Sequence, residues 1–163
     1  MKALASAVSV CPNAGGRNQS YILGGIDAPD HNPISRAAHV SARAVDPSAA
    51  WMTTELLEQV LTRGTAASAR SLGVKLPAAG KTGTTNDYKD AWFLGYTTAL
   101  TCGVWVGFDQ PQTIMSRGYG SALALPVWTS TMMKAADHDG AQPFRPTMPL
   151  ALAPCCSSTT RLA

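Results

Sequence analysis

The residues best equipped for chemistry are Lys81, Thr82, Gly83 and Thr84, inside the stretch Ala79-Gly80-Lys81-Thr82-Gly83-Thr84-Thr85-Asn86. Lys81 brings a positive charge. Thr82 and Thr84 are two apart, so on an extended strand both hydroxyls share one face. Gly83 has no side chain and lets a ligand lie close against the backbone. Such a set can hold a carboxylate and offer a backbone N–H to a developing oxyanion.

Other chemistries fit less well. A Walker A phosphate loop needs glycine five residues before Gly80, where Lys75 stands, and it needs a strand-to-helix turn rather than the start of a strand. Asp87 and Asp90 share a polar turn with Asn86, Tyr88 and Lys89, and Asp109 precedes Gln110-Pro111; these read as turn residues rather than general bases. His31, His39 and His138 have neither metal-ligand spacing nor a recognisable nucleophile partner. Cys11, Cys102, Cys155 and Cys156 form no C-x-x-C pair. Cys11 and Cys102 read as small buried apolar residues, and vicinal Cys155-Cys156 stands in a polar tail open to oxidation. No cofactor and no metal are expected.

Three strands are predicted to carry the motif, at about 78–84, 91–98 and 102–108, the last two joined by a link short enough for an antiparallel hairpin. Trp105 between Gly103 and Gly107 suggests a large ring lying over bare backbone. Asp46 as N-cap and Pro47 at the first position begin a helix that Gly64 stops. Met52, Leu56 and Val60, with Leu57 and Leu61 beside them, predict a broad apolar packing face. A helix over about 1–10 is stopped by Pro12 and Gly15-Gly16. Strands at about 19–26 and 31–37 suggest a small hairpin through Asp27-Ala28-Pro29-Asp30. Thr65–Pro77 reads as a linker with a short helical stretch. A last helix over about 123–136 places Leu125, Trp128 and Met132 on one face, with Pro126 in its first turn or at a kink.

The chain has 163 residues, 45% of them hydrophobic and 14% charged, which fits one globular domain. The net charge of +3 comes from scattered basic residues, which argues against a nucleic-acid partner. No apolar run is long enough to span a membrane, and the first ten residues lack a convincing leader cleavage site.

Four stretches together carry a family resemblance. They are Arg63-Gly64-Thr65, then Ala79 to Asp87, then Asp90-Ala91-Trp92-Phe93-Leu94-Gly95-Tyr96, then Gly103-Val104-Trp105-Val106-Gly107. This set closely resembles the second half of the transpeptidase domain of class A (bifunctional) penicillin-binding proteins. Weaker likeness runs back through Cys11-Pro12-Asn13-Ala14-Gly15-Gly16 and forward through Ala124 to Trp128. K-T-G alone is a common string; followed by the other stretches it is specific.

The resemblance implies an α/β (α+β) fold shared with serine β-lactamases, an antiparallel sheet flanked by helices, present in part over 1–137 with an irregular Pro/Ser/Thr-rich tail at 138–163. It implies acylation of a serine in an S-x-x-K motif by the D-Ala-D-Ala end of a peptidoglycan stem peptide, and attack by a second stem's amine. β-Lactams acylate the same serine. Lys81 would supply charge to the substrate carboxylate, Thr82 and Thr84 would donate hydroxyl hydrogen bonds to it, and Gly83 would admit the ligand. The backbone N–H of Thr84 would be one oxyanion donor, a group whose loss costs about 2.7–4 kcal/mol elsewhere. Trp92 and Trp105 would pack the sheet. The full-length family works at the extracytoplasmic face of the inner membrane.

The sequence departs from the family at two motifs. None of its five lysines has serine three residues earlier, and no asparagine completes S-x-N. Thr131-Met132-Met133-Lys134 has the spacing with the wrong nucleophile. The expectation is a transpeptidase fragment, inactive without the missing N-terminal half of the domain and marginally stable, because covering helices are absent. The alternatives are a non-catalytic carboxylate- or peptide-binding module and a pseudo-enzyme relic; retention of both threonines argues against the relic.

Overall fold

The computed structural model describes residues 1–146. Its element order is helix α1 (Lys2–Val8), four short strands β1 (Gly16–Asn18), β2 (Gly25–Asp27), β3 (Pro33–Arg36) and β4 (Ser41–Arg43), and helices α2 (Pro47–Thr62) and α3 (Ser68–Ser71). Strands β5 (Ala79–Thr84), β6 (Asp90–Tyr96) and β7 (Thr101–Gly107) and helix α4 (Gly120–Asp139) follow.

Strands β5, β6 and β7 form one antiparallel sheet in that order, with Lys81 opposite Leu94 and Trp92 opposite Trp105. Phe93 and Tyr96 are three apart and so point to opposite faces. Phe93 meets Trp128 of α4 edge-on, ring centroids 4.8 Å apart. Tyr96 hydrogen-bonds Thr54 of α2 at 3.0 Å. Helix α4 therefore covers one face and α2 the other. The buried core joins Leu125, Trp128 and Met132 of α4 to Phe93 of β6, to Leu61 at the end of α2, and to Ala69 and Val74 beyond it.

Helix α2 begins as its residues dictate: Asp46 Oδ1 accepts the Ser48 N–H at 2.8 Å, and Pro47 occupies the first turn. The expected apolar face is only half used. Leu61 is buried, but Met52 is 57% and Leu56 65% exposed, while Ala50 and Thr54 face inward. The helix turns its smaller residues to the sheet because Tyr96 already fills the space there.

Other boundaries also move. Of the predicted strand at 19–26 only its last two residues are strand, in β2, which pairs with β3 as the expected hairpin; β1 lies ahead of it and pairs with β4. Between them the arm is held by the bonds Gln19 N–H to Val40 O and Ala37 N–H to Gly24 O. Helix α4 starts three residues earlier and ends three later than its apolar face suggests, so Pro126 lies in the interior and denies the Ala122 carbonyl its donor. Beyond Gly140 the chain returns to the body: Gln142 exchanges hydrogen bonds with Thr98, and Phe144 lies edge-on to Tyr96. Cys11 and Cys102 are free and half-buried rather than fully buried. Cys155-Cys156 lies outside the described residues.

Candidate carboxylate site at the edge of the sheet

Among the described residues β5 is an edge strand, and hydrogen-bond alternation decides which of its groups face the sheet. Thr85 N–H bonds to Asp90 O at 3.1 Å, which turns Lys81 and Gly83 inward to β6 and leaves the backbone groups of Thr82 and Thr84 facing outward. The outward N–H of Thr84 is the one the family pattern singles out.

Side chains converge on the same edge. Thr65, Lys81, Thr82, Thr84, Tyr119, Gly120 and Ser121 line one open cleft of about 380 Å³. Lys81 Nζ donates to Thr82 O at 2.7 Å and reaches Thr82 Oγ1 at 3.4 Å. Thr82 Oγ1 lies 2.8 Å from Thr65 Oγ1. Thr84 Oγ1 accepts the Gly120 N–H at 3.0 Å, so its own hydrogen remains available. All three sequence-predicted polar residues thus stand together. Gly83 serves the sheet as well: a Cβ there would lie 3.2 Å from the Cβ of Trp92.

Two tight turns place the remaining walls. Gly64 ends α2 so closely packed that a Cβ would stand 2.7 Å from Val60 Cα, and the next residue, Thr65, is delivered to Thr82. Gly120 lies against the sheet, where a Cβ would stand 2.3 Å from Trp92 O. Asp87, Tyr88 and Arg117 all hold left-handed backbone, with φ of 60°, 55° and 57°. Such conformations are strained for residues other than glycine and collect near functional sites. The bond from Ile114 N–H to Tyr88 O ties the two loops together. The Tyr88 hydroxyl donates to that of Tyr119 at 3.2 Å, which holds the Tyr88 phenol above its ordinary range.

The aspartates of the turn divide by role. Asp90 accepts from Trp105 Nε1 and from Thr85 Oγ1, which makes it the clasp of the β5–β6 turn. Asp87 pairs with Lys89 at 3.5 Å and is exposed. Trp105 lies over Gly107, as the glycine spacing suggests, and tilts against Trp92 with centroids 6.1 Å apart. Burial pushes the Cys102 thiol up, away from the thiolate a nucleophile needs. Thr65 figures in the sequence only as the end of Arg63-Gly64-Thr65, and no pattern marks Tyr119, Gly120 or Ser121. They reach the cleft through tertiary packing alone.

A roomier groove of about 750 Å³ lies elsewhere, between α1 and the start of α2, with Ala3, Ala7, Val10, Val45 and Ala49 among its walls. Lys2, Ser6, Arg17, Ser20 and Thr53 share its walls, but among the described residues no hydrogen bond joins these side chains to one another as Thr65, Lys81 and Thr82 are joined, so the smaller cleft is the better candidate for chemistry. Among the described residues no cluster of His, Cys, Asp or Glu could hold a metal ion, and no helix is long and apolar enough to cross a membrane.

Known proteins share this architecture. The fold matches penicillin-binding protein 1A from Haemophilus influenzae with a TM-score of 0.79 at 22% identity, over 88% of this chain and 27% of that one. It matches penicillin-binding protein A from M. tuberculosis, solved as an imipenem acyl-enzyme complex, with a TM-score of 0.64 at 26% identity, over 80% of this chain and 30% of that one. In sequence, the chain is 37% identical to penicillin-binding protein 1A of Neisseria cinerea over 134 residues, which is 79% of this chain and 17% of that protein. It is 48% identical to its Pseudomonas aeruginosa counterpart over 90 residues, 55% of this chain and 11% of that protein. The chain therefore spans about a sixth or less of these two sequence relatives and under a third of the two solved structures. Residues 2–133 match the family described as the penicillin binding protein transpeptidase domain, and the chain belongs to that family.

Proposed function

We propose that this chain supplies the carboxylate-binding and oxyanion wall of a peptidoglycan D,D-transpeptidase. One observation carries the reading: the Lys81 ammonium and the Thr82 and Thr84 hydroxyls line a single cleft at the open edge of β5. In this reading the terminal carboxylate of a D-Ala-D-Ala stem peptide lies against Lys81 and Thr82. The scissile carbonyl oxygen lies against the Thr84 N–H, where negative charge develops as the serine oxygen attacks. The bond to the terminal D-Ala nitrogen breaks, and a second stem's amine then displaces the serine from the acyl-enzyme. A β-lactam presents the same carboxylate and carbonyl and stops at the acyl-enzyme. The work is done on the extracytoplasmic face of the membrane.

The serine and its lysine base belong to S-x-x-K, which these 163 residues do not contain. The chain alone is accordingly inactive and completes its site with a partner segment that bears S-x-x-K and S-x-N. The competing reading, a carboxylate-binding module without catalysis, shares the cleft and parts from this one at covalent labelling.

The test is to produce the chain together with the S-x-x-K half of a class A penicillin-binding protein and add a fluorescent penicillin. Label is expected on the companion half, only when this chain is present, and reduced about ten- to hundredfold by Lys81→Ala. Label on this chain itself, or on the companion regardless of it, would overturn the proposal. A chain that binds the carboxylate but never promotes labelling would leave the non-catalytic module.

A further inference from the structure

Thr65 approaches Thr82 from outside the sheet, and the hydrogen-bond count at Thr82 gives that approach a meaning. A hydroxyl oxygen has two acceptor positions and one hydrogen to give. Lys81 Nζ, which can only donate, stands 3.4 Å from Thr82 Oγ1. Thr65 Oγ1 stands 2.8 Å away and can donate or accept. If Thr65 accepts, Thr82 spends its only hydrogen inside the protein and presents no donor to a ligand. If Thr65 donates, both acceptor positions of Thr82 are filled and its hydrogen is turned into the cleft.

An anion in the cleft decides between the two, because it rewards the arrangement in which Thr82 donates outward. We infer that Thr65 is a positioning residue for the carboxylate site: its hydroxyl donates to Thr82 Oγ1 and commits Thr82 as a donor to the bound anion. The inference rests on the proposed carboxylate site and adds a residue to it. The backbone supports it, since the Gly64 turn that follows α2 allows no Cβ without displacing Val60 and so fixes where Thr65 emerges. Thr84 is treated alike, its oxygen held by the Gly120 N–H. Each threonine thus takes a donor from a neighbouring element and keeps its own hydrogen for the cleft.

The test titrates the full 163-residue chain with N-acetyl-D-alanyl-D-alanine and with its C-terminal amide, followed through the backbone amide resonances of Thr82 and Thr84. Thr65→Val keeps the shape and removes the hydroxyl. It is expected to weaken binding of the carboxylate probe roughly three- to tenfold, the worth of one hydrogen bond, and to leave binding of the amide where it was. Thr65→Ser restores the carboxylate affinity. In a Thr82→Val background, Thr65→Val causes no further loss, because Thr65 acts through Thr82. A full loss on Thr82→Val with none on Thr65→Val overturns the inference and spares the site. An equal loss for both probes, or a lowered melting temperature that accounts for the loss, makes Thr65 structural and also overturns it. If neither Thr82→Val nor Lys81→Ala weakens the carboxylate probe, the carboxylate site itself fails and the role of Thr65 with it.

Discussion

The indole of Trp105 donates its Nε1–H to Asp90 Oδ1 at 2.8 Å, from one strand of the sheet to the start of the next. Asp90 also receives the Thr85 hydroxyl, and its own N–H donates back to Thr85 Oγ1 at 2.8 Å. One carboxylate therefore closes the turn after β5 and anchors β7. Asp90→Ala should cost about 1–3 kcal/mol in urea unfolding, and Asp90→Asn clearly less, since it keeps an acceptor for the indole. Equal costs for the two would show that the indole bond is not what matters.

Tyr96 is fully buried beside Thr54, and burial pushes its phenol pKa well above the ordinary value of about 10. The sign follows from which form the fold keeps. The folded state holds the proton more tightly than the unfolded chain, so the stability contribution is complete below pH about 10 and is lost as pH rises above it. Chemical unfolding at pH 8 and pH 11 should show the loss, and Tyr96→Phe should flatten that alkaline fall. At neutral pH the same substitution costs only about 1 kcal/mol, because Thr54 still bonds to Ala50 O at 3.0 Å.

Gly120 lies where a methyl group would stand 2.3 Å from Trp92 O and 2.8 Å from Gly83 O. Gly120→Ala is therefore expected to lift the start of α4 from the sheet at a cost of about 2–3 kcal/mol, and to release Thr84 Oγ1 from its donor. Thermal melting reads the first effect. Weakened binding of N-acetyl-D-alanyl-D-alanine reads the second. A variant as stable as the parent would show that the sheet yields locally at this point.

Met52 and Leu56 project from α2 with most of their surface exposed, one turn apart. An apolar stripe of this kind promotes association. Replacing Met52 with Lys and Leu56 with Glu should reduce light scattering on heating, without lowering the melting temperature by more than a degree or two. A lower melting temperature would mean that the stripe contributes to the fold as it stands.

Where local chemistry decides, the sequence is easily read. The Asp46-Pro47 start of α2, the strand that carries Lys81 and the turn ahead of Asp90 follow from residue type and spacing. Alternation along Cys102, Val104 and Val106 identifies β7 because its alternate residues meet α4. The stripe on α2 misleads for a physical reason: periodicity says which residues share a face, not which face the sheet will take. The ends of α4 were hidden because its first and last turns carry small or polar residues outside the apolar stripe. Lys81, Thr82 and Thr84 could be found because they lie on one strand. Thr65 and Tyr119 could not, because turns far along the chain deliver them.

The open edge of β5 has a cost that its chemistry conceals. Outward backbone groups at Thr82 and Thr84 that can meet a short peptide can equally meet a second copy of the same strand. Brevity and charge oppose that outcome. The strand is six residues long, and Lys81 sits at its middle with its ammonium folded over the Thr82 carbonyl. Two copies brought edge to edge would have to displace that ammonium and set two positive charges close together. A ligand ending in a carboxylate meets no such penalty and gains from the same charge. Lys81 thus acts as a toll on self-association that an anionic visitor does not incur, and neutralising it should make the protein less selective and less soluble at once.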